Sequence, residues 1–464
     1  MYADMFVLVL TFVLVTVSGL LHLWKGNLKF FDQDDKSFAI GDAGFAHFKR
    51  TYYIGHLIVL FADSIQASYT YYLFDWYNVS SGDIVSIYVA GLVANLLASL
   101  LLCRWLQKLE RRVVCFVHCV LACTGCFLKT MQKSCFLFSR LFDGVAVTLL
   151  LAPFQEWYVH EHVHKLGFPK EWVQVTFREV SFRSTFQAIL AGYVADCIHR
   201  NLLEPLVLMQ LCIPIYMFSC LWIYCKWAPN RPESNGTTEN LLQELLKSGR
   251  IIFRRSNVLV LCVLQSLYES SFILFAFVWT PLFLQLGETV GPLPYIGAVY
   301  GCLMAGTLLG LVVYCKLSMH LLAHSLLSIA MALSFTGMSA ALFAAYPKPL
   351  SLMKYNMSLL LLVIYQLGSG IYFPTMQRLQ KDILPAENRS TILSLFRIPL
   401  NLLAITALHN VPKALDYGNW MLLCVSAFFN FACLIISFIL ARMIKQSNVD
   451  YFMLELKSDK EGEV

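Results

Sequence analysis

Thirteen apolar segments, each able to form a helix of about 20 residues, constrain this 464-residue chain more than any other feature. A helix of that length spans the hydrocarbon core of a bilayer. Because 58% of the residues are hydrophobic and only 14% are charged, the outward-facing surface must itself be largely apolar. The sequence therefore predicts an all-α membrane protein with these approximate spans: Met5–Trp24, Tyr52–Phe74, Ile84–Cys103, Val113–Lys129, Phe136–Pro153, Ser181–Ile198, Leu206–Trp227, Val258–Trp279, Ile296–Cys315, Leu321–Tyr346, Ser358–Phe373, Ile392–Leu408 and Trp420–Ile444.

The polar stretch 228–257 divides the last twelve apolar segments into two sets of six, and it predicts a linker with a short amphipathic helix. The first segment carries Asp4 in place of a basic start, which favours an uncleaved span over a signal peptide. The predicted units are an extra N-terminal span (1–24), a cytoplasmic segment (25–51), an N-terminal six-helix half (52–227), the linker (228–257), a C-terminal six-helix half (258–444) and a cytoplasmic tail (445–464).

The basic residues predict the orientation in the membrane. Of the 35 Lys and Arg residues, 26 fall in loops on the side of the linker and 6 on the opposite side, Lys129 among them. The excess places the linker and the tail in the cytoplasm. The sequon at Asn78 then lies outside, where it can be glycosylated. The basic residues form no stripe that would favour a nucleic-acid partner.

Three arginines remain within the predicted spans: Arg140, Arg183 and Arg397. A charge in hydrocarbon is costly, so each is expected to face a partner or a water-filled cavity. The acidic candidates for such roles are Asp63, Asp143, Asp196 and Glu269. Arg140 and Asp143 lie one helical turn apart, which is compatible either with mutual neutralisation or with a part in substrate binding.

When the twelve core spans are numbered from Tyr52, polar residues concentrate in the first, fourth, seventh and tenth. These are the spans Tyr52–Phe74, Phe136–Pro153, Val258–Trp279 and Ser358–Phe373. Asp63 with Gln66, and Gln265 with Glu269, have the spacing that brings both groups to one helix face. In two pseudo-symmetric six-helix halves, such faces line a central cavity near the bilayer midplane. This arrangement is typical of a transporter.

The residue types indicate the substrate. Arginine keeps its proton and its planar fork suits oxyanions, so Arg140 and Arg397 predict an anionic substrate, with Gln66, Gln265 and Tyr372 as neutral partners. Glu269 and Asp63 can take up a proton if they are desolvated, which makes them candidates for proton coupling, and Asp143 and Arg183 are further coupling or gating candidates. The alternative for the carboxylates is hydrogen bonding between packed helices.

The chain resembles the molybdate-anion transporter family of the major facilitator superfamily from about Phe45 to Arg442. The most specific stretch is FQEWYVHEHV (Phe154–Val163), followed by FPKEW (Phe168–Trp172), and shorter matches occur at Asp63–Ala67, Arg140–Gly144, Gln265–Ser270, Tyr372–Met376 and Phe396–Leu400. The resemblance implies the twelve-helix facilitator fold and transport of molybdate. Two departures are the stretch Leu102–Arg112, which lacks the superfamily's usual G-x-x-x-D-x-x-G-R-K pattern, and the extra charge of Arg183.

A cytoplasmic cluster at the end of the fourth core span contains metal-ligand residue types: Glu156, His160, Glu161, His162 and His164. Helical and extended backbones would align different members of the cluster, and no cysteine joins them. A structural or gating cluster is favoured over a metal site.

The sequence thus predicts a secondary-active transporter in the cell membrane, which binds an oxyanion, most simply molybdate, and uses no cofactor. The alternatives are a carrier of another inorganic or organic anion, or a membrane scaffold or receptor-like protein that no longer transports. No phosphate-binding glycine loop or nucleophile elbow indicates an enzyme.

Overall fold

A computed structural model describes residues 2–23, 43–202, 204–230, 241–288, 295–345, 351–386, 388–410 and 415–461. Within these ranges the chain is helical and contains no β-strand, which confirms the predicted all-α class. Residues 25–42 of the predicted cytoplasmic segment and residues 231–240 of the linker lie outside the described residues. So do the side chains of residues 102–108 in the departing stretch.

The N-terminal part of the chain forms an N-terminal helix and then the first half of the fold. Its helices are α1 (Tyr2–Leu23), α2 (Ala43–Trp76), α3 (Ser81–Lys108), α4 (Arg111–Lys129), α5 (Phe136–Leu151), α6 (Pro153–His160), α7 (Glu171–Leu202) and α8 (Leu206–Lys226). A 3₁₀ turn, Lys133–Cys135, precedes α5, and a π-helical turn, Glu161–Lys165, follows α6.

The second half follows the amphipathic linker helix α9 (Leu241–Arg254). Its helices are α10 (Ser256–Glu288), α11 (Ile296–Leu317), α12 (Ala323–Ala345), α13 (Leu352–Ile383), α14 (Arg389–His409) and α15 (Leu415–Glu461). Prolines inside α8, α10, α13 and α14 fit helices surrounded by other helices, where neighbouring groups satisfy the freed backbone.

Each half is a bundle, and two helix pairs make the most extensive contacts between the halves. In the first half, α5 packs against α3 and α4, while α8 packs against α2 and α4. In the second half, α13 packs against α11 and α12, while α15 packs against α10 and α12. The joints between the halves are α7 with α11 and α3 with α14. Of the four helices that carry the predicted polar residues, α2 and α5 belong to the first bundle, and α10 and α13 belong to the second.

Glycines allow the backbones to approach closely at one joint. A Cβ atom placed on Gly192 of α7 would collide with the carbonyl oxygen of Gly297 in α11, and the reverse also holds. Small residues permit such contacts between membrane helices. A larger residue at either position would require α7 and α11 to move apart locally.

Helix α1 packs across the same joint. It lies mainly against α11, and the His22 ring stacks on Phe182 of α7 at 4.9 Å between ring centroids. Val7 is buried in the main hydrophobic core, whereas Leu8 and Phe12 on another face are exposed. The extra apolar segment thus contacts both halves, and its outward face is suited to lipid.

Each of the thirteen predicted spans overlaps a described helix, and the span Phe136–Pro153 crosses the break between α5 and α6. By length and composition, eleven described segments could cross a membrane. Helices α2 and α7 are outside that set because tyrosines and polar residues reduce their hydropathy. Lys129 is the last residue of α4, as the predicted span Val113–Lys129 has it, but its side chain, counted with the basic residues of the external loops, is completely buried.

Candidate functional site

The first cluster of buried polar residues lies within the first half. Asp63 and Gln66 share one face of α2, as their spacing predicted, and both contact the hydroxyl of Tyr216 in α8. The Tyr216 hydroxyl donates to the Asp63 carboxylate and accepts from the Gln66 amide, at 2.7 Å in the second case. One tyrosine hydroxyl therefore fixes the orientation of both predicted residues.

Lys129 connects this pair to the predicted charges of α5. Its ammonium donates to the Gln66 carbonyl oxygen at 2.6 Å and forms an ion pair with Asp143 Oδ2 at 2.7 Å. Arg140 contacts the same Asp143 oxygen at 3.3 Å. The predicted neutralisation of Arg140 by Asp143 is thus present, but the carboxylate is shared and its shorter contact goes to lysine.

Arg140 has other neighbours besides Asp143. Its guanidinium carbon lies 4.4 Å from the centroid of the Tyr88 ring in α3, a distance suited to a cation–π interaction. The buried Nε of Arg140 finds no hydrogen-bond partner among the described residues. Arg140 therefore keeps donor capacity that its own half does not use.

The second cluster lies within the second half. The Tyr372 hydroxyl of α13 donates to Glu269 Oε1 of α10 at 3.4 Å, and Arg397 of α14 acts electrostatically on the same carboxylate. Gln265 lies one turn from Glu269, and its side-chain carbonyl accepts from the Gln380 amide at 2.8 Å. The residues predicted from α10, α13 and α14 are thus brought together around one acid.

Buried hydroxyl groups pack next to this second cluster. The ring of Tyr268 lies 3.8 Å from that of Tyr372 between centroids. The Tyr268 hydroxyl is 3.0 Å from both Ser334 of α12 and Ser369 of α13. Because these polar groups are buried and hydrogen-bonded, they fix the Tyr268 ring, against which Tyr372 packs.

The contact between the halves is centred on Asp196 of α7. Its carboxylate accepts from the backbone N–H groups of Gly297 (2.9 Å) and Ala298 (2.5 Å) in the first turn of α11. It also accepts from the Tyr69 hydroxyl at 2.5 Å. A carboxylate at a helix N-terminus satisfies free backbone donors and is favoured by the helix dipole. At a second place, the Asn401 amide of α14 donates to Asn95 of α3 at 3.5 Å.

A cavity of about 200 Å³ lies between α7, α11 and α13. Its lining includes the hydroxyls of Ser181, Ser184, Thr185 and Thr307 together with Gln377. Side chains from both halves line the cavity.

Arg183 lies outside both buried clusters. More than half of its side chain is exposed, it is 3.9 Å from Glu179 one turn away, and its guanidinium carbon is 5.0 Å from the Tyr53 ring centroid. The structure therefore brings it to neither buried cluster.

The cytoplasmic cluster is helical, and although the His160 and His164 rings lie 5.3 Å apart between centroids, its other members have separate partners. His160, Glu161 and His164 also match the H-E-x-x-H spacing of zinc sites. However, buried His162 contacts the Tyr158 hydroxyl at 3.2 Å and the Pro169 carbonyl at 2.8 Å, whereas Glu161 pairs with Lys165 at 3.1 Å. Glu156 and His164 are exposed. Among the described residues, no three His, Cys, Asp or Glu side chains converge on a metal position.

Sequence reasoning missed two residues of the first cluster, Lys129 and Tyr216. Lys129 ends an apolar segment, and such lysines usually reach toward water. Tyr216 lies in a nearly uniform apolar span. The one available signal was that α8 carries a tyrosine in its middle, where its hydroxyl requires a partner.

Relatives of known class match nearly the whole chain. The molybdate-anion transporter of Xenopus laevis is 30% identical over 442 residues, which cover 91% of this chain and 94% of the relative. The molybdate-anion transporter of Danio rerio is 31% identical over 412 residues, which cover 82% of this chain and 83% of the relative. This chain belongs to the molybdate-anion transporter family. It is therefore a multi-pass membrane transporter and not an enzyme.

Two further comparisons agree on the fold. Residues 5–368 match a family described as sugar transporters with twelve transmembrane segments. A crystal structure of the nucleoside transporter NupG superposes with a TM-score of 0.62 at 13% identity, covering 86% of this chain and 99% of that one. The family membership and this likeness confirm the predicted facilitator fold of twelve core helices.

Proposed function

We propose that this member of the family transports molybdate by alternating access between its two halves. The observation that carries the proposal is a permanently charged arginine inside a predicted span of each half, Arg140 and Arg397, beside a carboxylate and neutral polar groups. Two such cations in the interior suit a tetrahedral dianion. The names of the relatives support the same substrate.

The residues divide into two sets in this proposal. Arg140 and Gln66 bind the oxyanion from the first half, and Arg397, Gln265 and Tyr372 bind it from the second. With the predicted orientation, the Asp196 contact lies toward the outside and closes the site there. The cavity lined by Thr185 and Thr307 is then on the path toward the cytoplasm.

Glu269 is the proposed proton carrier. It is an acid in the interior of α10 with a tyrosine donor at 3.4 Å and a cation in α14. Uptake of a proton by Glu269 would release Arg397 from its carboxylate partner, so the arginine could bind the oxyanion. Asp63, Asp143 and Arg183 are proposed to assist gating.

The protein is proposed to reside in the cell membrane with Asn78 outside. Asn78 is exposed in the turn between α2 and α3, so an oligosaccharide can be accommodated there. Loss of a glycan in Asn78→Gln would support this orientation. A glycan at Asn388, which belongs to a sequon on the opposite side, would overturn it.

Sugar transport is the rival function, since the matched family description names sugars. A neutral solute gives no reason for Arg140 and Arg397 to be retained in the interior at the cost of desolvation. Competition therefore separates the two functions: sulfate should inhibit an oxyanion carrier and hexoses should not.

The test is uptake of labelled molybdate by proteoliposomes containing wild type, Arg140→Met, Arg397→Met, or Lys170→Met as a control for loss of an exposed charge. A charge-assisted hydrogen bond contributes about 1.5–3 kcal/mol, so each arginine variant should lose about tenfold or more in uptake. Lys170→Met should transport as wild type does. No uptake by active wild-type vesicles would overturn the proposed substrate.

A further inference from the structure

Lys129 is a fully enclosed charge whose role the transport proposal leaves open. Its side chain has 0% exposed surface, and its ammonium contacts Gln66 at 2.6 Å and Asp143 at 2.7 Å. A lysine at the end of a membrane helix ordinarily directs its ammonium to the water interface. Here the side chain turns into the bundle, where burial of the charge is costly. Such a cost indicates a function for the charge.

The geometry around Asp143 shows what the lysine changes. Lys129 and Arg140 both contact Oδ2 of this one carboxylate, and the lysine contact is shorter by 0.6 Å, at 2.7 against 3.3 Å. Without Lys129, Asp143 would have Arg140 as its sole cationic partner in this cluster. A buried arginine–carboxylate pair in good geometry is strong, and it would occupy the donors that an anion needs.

Exposure separates the two cations. The side chain of Arg140 is 23% exposed, whereas that of Lys129 is not exposed at all. Arg140 therefore has accessible surface, while Lys129 can act on a solute only through its neighbours. Asp63, the other acid of the cluster, is bound by the Tyr216 hydroxyl, so Asp143 remains the direct competitor of the substrate for Arg140.

We propose that Lys129 is a positioning residue that holds Asp143 and so leaves Arg140 free to bind the oxyanion. This inference rests on the proposed transport of an oxyanion. In this proposal, the affinity of the first half for the substrate depends on how the Asp143 carboxylate is shared between Lys129 and Arg140. The carboxylate stays with the lysine when the anion arrives, and Gln66 keeps the ammonium in place.

The inference makes a prediction that loss of structure alone would not produce. In Lys129→Met, Asp143 should close onto Arg140, and the KM for molybdate should rise about tenfold or more, with a smaller change in maximal rate. In the double variant Lys129→Met/Asp143→Asn, the competing carboxylate charge is gone. The KM should then return to within about threefold of wild type.

Lys129→Arg, which keeps the charge, should also restore a KM close to that of wild type. Lys133→Met, four residues away, removes an exposed charge and is the matched control. If Lys129→Met does not fold, the double variant carries the test, because it must fold and show a near-normal KM even where loss of Asp143 lowers its maximal rate. The inference would be overturned if the KM of the double variant were as high as that of the single variant, or if the single variant had the KM of wild type. Either result leaves the transport proposal intact as long as wild type takes up molybdate. No uptake by wild type would overturn both.

Discussion

The Asp196 carboxylate of the first half accepts a 2.9 Å hydrogen bond from the backbone N–H of Gly297 in the second half. It is an acid from one bundle that caps the first turn of a helix in the other. Every motion that separates α7 from α11 must break this bond and its neighbour at Ala298. The strength of the contact therefore bears on how readily the two halves part.

Asp196→Ala should weaken the joint between the halves. The substitution removes acceptors from Gly297, Ala298 and Tyr69 and leaves buried donors unsatisfied, at a cost of about 1–3 kcal/mol. We expect a lower midpoint of thermal unfolding in detergent. Asp83→Ala, which removes an exposed aspartate of α3, is the control and should change the midpoint less. An Asp196→Ala midpoint equal to that of wild type would show that the contact does not hold the halves.

Tyr216→Phe should disturb the first cluster without changing its charge. Removal of one hydroxyl leaves Asp63 without its donor and the Gln66 amide without its acceptor. The free energy of unfolding should fall by about 1–3 kcal/mol. Tyr224→Phe on the same helix is the matched control because Tyr224 is 63% exposed. Equal stability of the two variants would contradict the bridging role of Tyr216.

Glu269→Gln tests the proposed proton carrier. If a proton on Glu269 releases Arg397 for the anion, wild-type uptake should increase as the external pH is lowered. The glutamine variant mimics the protonated acid, so its uptake should be nearly independent of pH and should not respond to an imposed proton gradient. Uptake by Glu269→Gln that still rises with acidity would assign the coupling to another group.

Local patterns predicted the helices and part of each cluster. A run of about 20 apolar residues is sufficient to define a membrane helix, and all thirteen runs are helical. The spacing of Asp63 and Gln66 predicted a shared face because helix periodicity depends only on neighbouring residues. The resemblance to the family gave the twelve-helix arrangement, which periodicity alone does not contain.

Contacts between distant helices account for what the sequence did not reveal. The burial of Lys129 was not predicted because it depends on Gln66 and Asp143, which are contributed by two other helices. Asp196 was considered as an intramembrane acid, yet its partners at Gly297 and Ala298 are backbone groups and leave no residue-type signal. Arg183 was expected to face a partner or a water-filled cavity, and its contacts with Glu179 and Tyr53 come from packing that the residue type does not reveal.

The most direct test of an alternating-access oxyanion carrier is counterflow. Proteoliposomes are loaded with unlabelled molybdate, diluted into trace labelled molybdate, and sampled over time. A carrier with one site that faces each side in turn should accumulate label transiently above its equilibrium level, and Arg140→Met should not. No overshoot in molybdate-loaded wild-type vesicles, or an overshoot only in vesicles loaded with sugar, would contradict the account.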